Sequence, residues 1–171
     1  MTQPSIAETI AFIQVVHDYP DKSGAPYWQH PLAVMELLPD DAPLEQKLIA
    51  LLHDVLEDTD ITPDDLYARG YSERVVAACK LLDFKHECDP DLPYPTKVRQ
   101  LIESGNEDAI RVKYADMTHN SSHKRIECLP QEDQQYHQQK YVFPKQMLRQ
   151  AIQRIERDNG YACQLDAAIG F

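Results

Sequence analysis

No pair of cysteines in this sequence stands at C-x-x-C spacing: Cys79, Cys88, Cys128 and Cys163 lie far apart. A zinc clip is not expected, and free thiols in a reducing compartment are. The amino-terminal stretch MTQPSIAETIAFIQVV has no basic segment leading into a long apolar one, and nowhere do about 18 apolar residues follow one another. Neither a leader nor a membrane-spanning helix is expected, so the expected location is cytoplasmic, with no membrane partner. A broad basic face is missing too. With a net charge of −11 and a pI near 4.9, the chain lacks the surface that neutralises a phosphate backbone, which excludes nucleic acid as a partner. Any phosphorylated partner has to be small and met by local cations or a metal. Finally, no long run alternates with period two and no internal repeat is visible, so no sheet is expected.

What is present suits one domain spanning 1–171. The 171 residues can bury one sizeable core, and 43% hydrophobic with 26% charged residues offers enough apolar surface to order the chain. Helical spacing recurs almost throughout, giving an all-α fold class. SIAETIAFIQVVHDY opens with Ser5 as N-cap and Glu8 three residues on, then spaces Ile6, Ile10, Ile13 and Val16 or His17 as one face. A loop rich in proline and glycine follows, and His30 is expected just before the next helix, LAVMELL. APLEQKLIALLHDVLEDT carries Leu44, Leu48, Leu51, Leu52 and Val55 as an apolar stripe. TPDDLYARG has Thr62 as cap, Pro63 in the first turn and Gly70 past the end. SERVVAACKLLD repeats the pattern. A loop from Phe84 to Pro95 precedes TKVRQLIESGN, which Gly105 stops. EDAIRVKYADMTHNSSHKRI and a final helix with Pro144 inside it complete the series.

The segment LLHDVLEDTD interrupts an apolar run with His53, Asp54, Glu57 and Asp58. On a continuous helix these positions form one patch, about a turn deep. Crowded carboxylates raise one another's pKa unless a cation compensates, and an imidazole beside a carboxylate is a ligand pair for a divalent ion. Glu57 and Asp58 then lie within reach of the water that such an ion acidifies. An idle, solvated face is the competing reading of the dipeptide alone. Two further residues shift the balance: His30 in its proline-flanked joint, and Asp116 after an apolar stretch, where a buried carboxylate needs a partner.

SGAPYWQHPLAV, ALLHDVLEDT and VKYADMTHN, in this order and at these separations, resemble the HD superfamily of metal-dependent phosphohydrolases, specifically the alarmone hydrolase domain of Rel/SpoT-type enzymes and their small stand-alone relatives. The resemblance covers roughly residues 5–150, leaving 151–171 as a terminal helix and tail. It implies a helical bundle of about eight to ten helices holding one divalent ion, usually manganese, on His30, His53, Asp54 and Asp116. It implies that Glu57 and Asp58 activate and orient the attacking water. The reaction it implies removes pyrophosphate from the 3′ position of a small nucleotide, as in (p)ppGpp. Substrate contacts carry over as Lys22 and Ser23 of the K-S-G loop, Asn120 of H-N, Tyr141 as a pocket-closing tyrosine, and Lys113, with Lys97 weaker. For Asn120 a surface amide, for Lys113 a solvated or ion-paired lysine, and for Tyr141 a core tyrosine are the competing readings.

The sequence also departs from the family. Where related hydrolases carry a basic residue that can stack on guanine, this chain has Asp21. Met117 and Thr118 replace the usual basic and apolar pair, and LLDFKHE replaces L-T-K. Base preference is therefore open between guanine and adenine, and Asp21 is expected to accept a hydrogen bond from a base amino group. A phosphohydrolase of another nucleotide or phosphate ester, or a silent nucleotide-binding module, are the alternatives. The intact metal and carboxylate set argues against a silent module. The length leaves no room for a synthetase domain, so hydrolysis alone is expected.

Overall fold

Local signals place most helix starts. In the computed structural model, which describes residues 2–159, Ser5 caps α1 (Ile6–Val16) through a capping box with Glu8. Thr62 caps α5 (Pro63–Ala68) in the same way with Asp65, and Ser72 caps α6 (Glu73–Leu82). Gly70 and Gly105 end their helices at φ 92° and 69°, the left-handed geometry that a side chain disfavours.

The remaining helices are α2 (Gln29–Glu36), α3 (Leu44–Leu52), α4 (Val55–Asp58), α7 (Tyr94–Glu103), α8 (Glu107–Asn120), α9 (His123–Glu127) and α10 (Gln131–Asn159). These ten helices bear out the all-α expectation, and the described residues contain no strand, only an isolated bridge between Pro20 and Pro26. Cys79, Cys88 and Cys128 are free thiols. Cys163 and most of the expected 151–171 tail lie outside the described residues.

Three boundaries differ from expectation, each for a local reason. His30 lies inside the first turn of α2, not ahead of it; Pro31 follows without penalty because first-turn amides have no helical acceptor to lose. The H-D segment is not one helix. α3 ends at Leu52, Asp54 takes φ −100° and ψ −4°, and α4 restarts at Val55. The predicted run EDAIRVKYADMTHNSSHKRI breaks at Ser121 and Ser122, where Ser122 turns extended before α9. Leu44 is also exposed, so the apolar stripe of α3 begins at Leu48.

The core is built around α3 and α8. Leu48, Ile49, Leu51 and Leu52 of α3 are fully buried, and α3 packs against α1, α2, α6 and α8. α8 adds Ile110, Val112 and Met117 and packs against α2, α3, α6, α7 and α10. Where α8 begins, Asp108 accepts two bonds from Arg74 of α6 (2.7 and 3.0 Å) and one from Gln46 of α3 (3.1 Å), so three helices are fixed at one carboxylate. The HD turn of α3–α4, the first turn of α2 and the middle of α8 thereby meet at one point.

Candidate active site

At that point four sequence-selected side chains converge. His30 Nε2 lies 3.4 Å from Asp54 Oδ2 and 3.2 Å from Asp116 Oδ1; His53 Nε2 lies 3.1 Å from Asp54 Oδ2 and 3.7 Å from Asp116 Oδ1. His30, His53 and Asp116 each bring a ligand atom within 4.8 Å of the others, a spacing suited to sharing one ion at bond lengths of about 2.0–2.2 Å. All four residues are buried.

The surrounding bonds orient the donors. His53 Nδ1 lies 2.7 Å from the carbonyl of Ala50, so Nδ1 carries the proton and Nε2 faces the carboxylates. Nε2 is fully buried and makes no hydrogen bond of acceptable geometry, although Asp54 stands beside it. Burial pulls the His53 pKa down, but Asp54 and Asp116 outweigh it and hold it up at about 10. His30 Nδ1 lies 2.7 Å from His119 Nδ1 with the rings stacked. Burial and the neighbouring His30 push His119 down to about 4, so it stays neutral and accepts from His30.

Asp116 divides its oxygens: Oδ1 faces the histidines and accepts from Asn120 (2.6 Å), while Oδ2 pairs with Lys113 (3.0 Å). Lys113 is buried, with its ammonium 4.7 Å from the Phe84 ring centroid. Of its two readings the ion pair is the one formed. Asn120 is also tied inward, and its Oδ1 accepts a long 3.5 Å contact from Arg125.

Glu57 and Asp58 lie on α4, past the break at His53 and Asp54, yet Asp58 stays one helical turn from Asp54: its amide donates to the Asp54 carbonyl at 2.9 Å. Glu57 is half-buried and Asp58 exposed. Both carboxyls are raised above the ordinary range, first by burial; for Glu57, Lys113 opposes that while Asp54 and Asp58 add to it. The Tyr27 hydroxyl donates to Asp54 (2.7 Å) and reaches Asp58 at 3.3 Å, linking the cradle to the second carboxylate.

A cavity of about 560 Å³ opens onto His30 and His119. Lys22, Ser23, Asn120 and Tyr141 all line it, as the substrate expectation requires, and so do Tyr27 and Arg125. Lys113 and Lys97 do not; Lys97 donates to the Phe84 carbonyl. Asp21 differs from expectation. Its Oδ1 accepts from Ser23 N, Ser23 Oγ and Ala25 N (2.8, 2.6 and 3.1 Å), and its Oδ2 from Arg125 (2.6 Å). The carboxylate is spent on its own loop and on α9, leaving it poorly placed to read a base.

Tyr27, His119 and Arg125 were missed by sequence reasoning. Tyr27 stands three residues before His30 and His119 three after Asp116, so helical spacing carried a signal for both. Arg125 carried none, since its partner Asp21 is remote in sequence.

No family model matches the chain. A segment of 104 residues is 36% identical to the bifunctional (p)ppGpp synthase/hydrolase SpoT of Escherichia coli, and to the guanosine-3′,5′-bis(diphosphate) 3′-pyrophosphohydrolases of Shigella flexneri and Vibrio cholerae. That segment is 57% of this chain and 15% of each relative, so the chain spans a small part of their length. Among solved structures, one described as a metazoan ortholog of SpoT that hydrolyzes ppGpp and plays a role in starvation responses superposes with a TM-score of 0.62. It is 23% identical, and the match covers 95% of this chain and all of that one (100%). The fold is therefore that of this structure, and the likeness to alarmone hydrolases read from three motifs is matched by the sequence identity over this 104-residue segment.

Proposed function

We propose that this chain is a metal-dependent phosphohydrolase that removes pyrophosphate from the 3′ position of a guanosine or adenosine alarmone of the (p)ppGpp or (p)ppApp kind. The observation that carries the reading is the cradle: two imidazole Nε2 atoms and two carboxylates meet in a buried space, beside a second pair of carboxylates. His30, His53, Asp54 and Asp116 would hold one divalent ion, manganese by the family resemblance. Such an ion supplies charge neutralisation at phosphoryl oxygens and acidifies water.

The chain's own residues do the rest. Glu57, half-buried with its carboxyl raised above the ordinary range, accepts the proton of the attacking water. Asp58 orients that water, itself held through Tyr27 to Asp54. The new bond forms from water oxygen to phosphorus; the bond to the 3′ oxygen breaks, and that oxygen takes up the proton Glu57 accepted and leaves as the 3′ hydroxyl of the nucleotide. Lys22, Ser23, Asn120 and Tyr141 bind the nucleotide from the cavity walls, while Lys113 acts from behind by holding Asp116. The same reading takes 1–171 as one domain acting on a small nucleotide in the cytoplasm. No helix among the described residues is long and apolar enough to cross a membrane. The named activity of the relatives supports the choice of substrate class.

The test is a hydrolysis screen with manganese across guanine and adenine alarmones, cyclic dinucleotides, nucleoside monophosphates and 3′-phosphorylated cofactors. Pyrophosphate released from 3′-pyrophosphorylated nucleotides is the expected result. Orthophosphate from simple esters alone, or no turnover at all, would overturn the assignment.

A further inference from the structure

The cations near the site are not evenly matched. Lys113 is paired with Asp116 and Arg125 with Asp21. Lys140 of α10 has no such partner: among the described residues it forms neither an ion pair nor a hydrogen bond. Its ammonium group is half-buried, 4.8 Å from the Tyr94 ring centroid and 5.2 Å from that of Tyr141. Burial, then the charges of Lys113 and Lys22, lower its pKa; Asp116 and Glu57 act the other way. His137, one turn earlier on α10, feels Lys22 and Lys140 as well.

Two ring faces stabilise a cation far less than a paired anion does, and they do not cancel repulsion from other lysines. A chain of net charge −11 has carboxylates to spare, yet none is placed against Lys140. The location says which charge is missing. Tyr141 lines the cavity together with Lys22 and Asn120. Tyr94 packs edge-on against Phe84, the ring that Lys113 faces on its way to Asp116. Lys140 does not itself line the cavity, but its ammonium lies against Tyr141, which does, and against Tyr94 behind it, so its charge stands at the cavity wall.

We propose that Lys140 is a phosphate-contacting residue, donating from Nζ to the pyrophosphoryl group of the substrate and to released pyrophosphate. The identity of that anion rests on the hydrolase reading above. The rings of Tyr94 and Tyr141 hold the ammonium in place, so that its charge is available before the ligand arrives.

The experiment uses the full chain as wild type, Lys140→Gln and Lys140→Arg, with thermal unfolding to check folding. Inorganic pyrophosphate is titrated calorimetrically into each manganese-loaded protein, and kcat and KM are measured on a guanosine 3′-pyrophosphate substrate. Loss of one charge-assisted hydrogen bond predicts about a 10- to 100-fold weaker pyrophosphate affinity and a similar fall in kcat/KM for Lys140→Gln. Lys140→Arg should recover most of both, and unfolding temperatures should agree, because the change breaks no ion pair or hydrogen bond among the described residues of the free protein. Equal pyrophosphate affinity in wild type and Lys140→Gln would overturn the proposal, as would a wild type that does not bind pyrophosphate. A wild type that binds pyrophosphate through Lys140 but hydrolyses no alarmone would overturn the activity and keep the anion contact.

Discussion

In the proposed reaction, Glu57 and Asp58 carry the clearest division of labour among single residues. Both carboxyls are raised by burial beside Asp54, yet neither lies in the set of atoms that converges on the ion position. Removing a proton acceptor damages the transition state without removing a ligand. Glu57→Gln and Asp58→Asn are therefore each expected to lower kcat by about 10²-fold or more, with manganese binding by calorimetry retained. Unchanged turnover in both would move the acceptor elsewhere. At this scale His53, Asp54 and Asp116 stood out as polar residues in apolar runs, which need a buried partner, His30 by its proline-flanked joint, and the three ordered motifs joined them into one expected set. Arg125 and the true role of Asp21 were not legible. Asp21 reads as an unpaired charge in a loop until folding brings α9 across to it at 2.6 Å. An Asp21→Asn change should accordingly loosen that loop and α9 rather than switch base preference.

Among elements, caps and stops could be read and breaks could not. Ser5, Thr62, Gly70 and Gly105 act within a few residues of themselves, so their signals are complete in the sequence. The interruption at His53 and Asp54 has no proline or glycine to announce it; the side chains that turn towards α2 and α8 fix it through tertiary contacts. The long helix α10 is similarly held from outside. Arg111 of α8 donates to Glu156 of α10 at 2.9 Å, and Glu156 is 6% exposed with its second oxygen unpartnered. Truncating one member of such a pair strands a buried charge, so Arg111→Met is expected to cost about 3 kcal/mol. The double variant Arg111→Met with Glu156→Met should recover much of that loss in urea denaturation, since no unpaired charge remains. Additive losses would show that the two residues contribute independently, with no coupling between them.

For the whole molecule, charge balance and helicity were legible from composition, whereas the pH response of the fold depends on which histidines are sealed inside. His17, at the end of α1, is fully buried; its Nδ1 lies 2.9 Å from the Tyr19 hydroxyl, and its Nε2 has no partner. Burial pulls its pKa down to about 4, with the Asp54 charge opposing and His53 and His30 assisting. In the unfolded chain the same imidazole titrates near 6.5. Between these values the unfolded state binds the extra proton, so stability is whole above about pH 6.5 and falls as the pH drops towards 4. The loss is on the order of 3 kcal/mol for a shift of this size. Asp54 and Asp116 do not share this window: their carboxyls are held well below the usual range, and what they contribute is lost only at lower pH. His119, also held near 4, does share it and supplies a second, separate slope. Unfolding midpoints measured from pH 7.5 to 4.5 should fall for wild type and fall distinctly less steeply for His17→Gln, which has no proton to gain. Parallel curves would mean that His17 takes up its proton in the folded protein as readily as in the unfolded one, and that the acid sensitivity resides in His119 and the carboxylates.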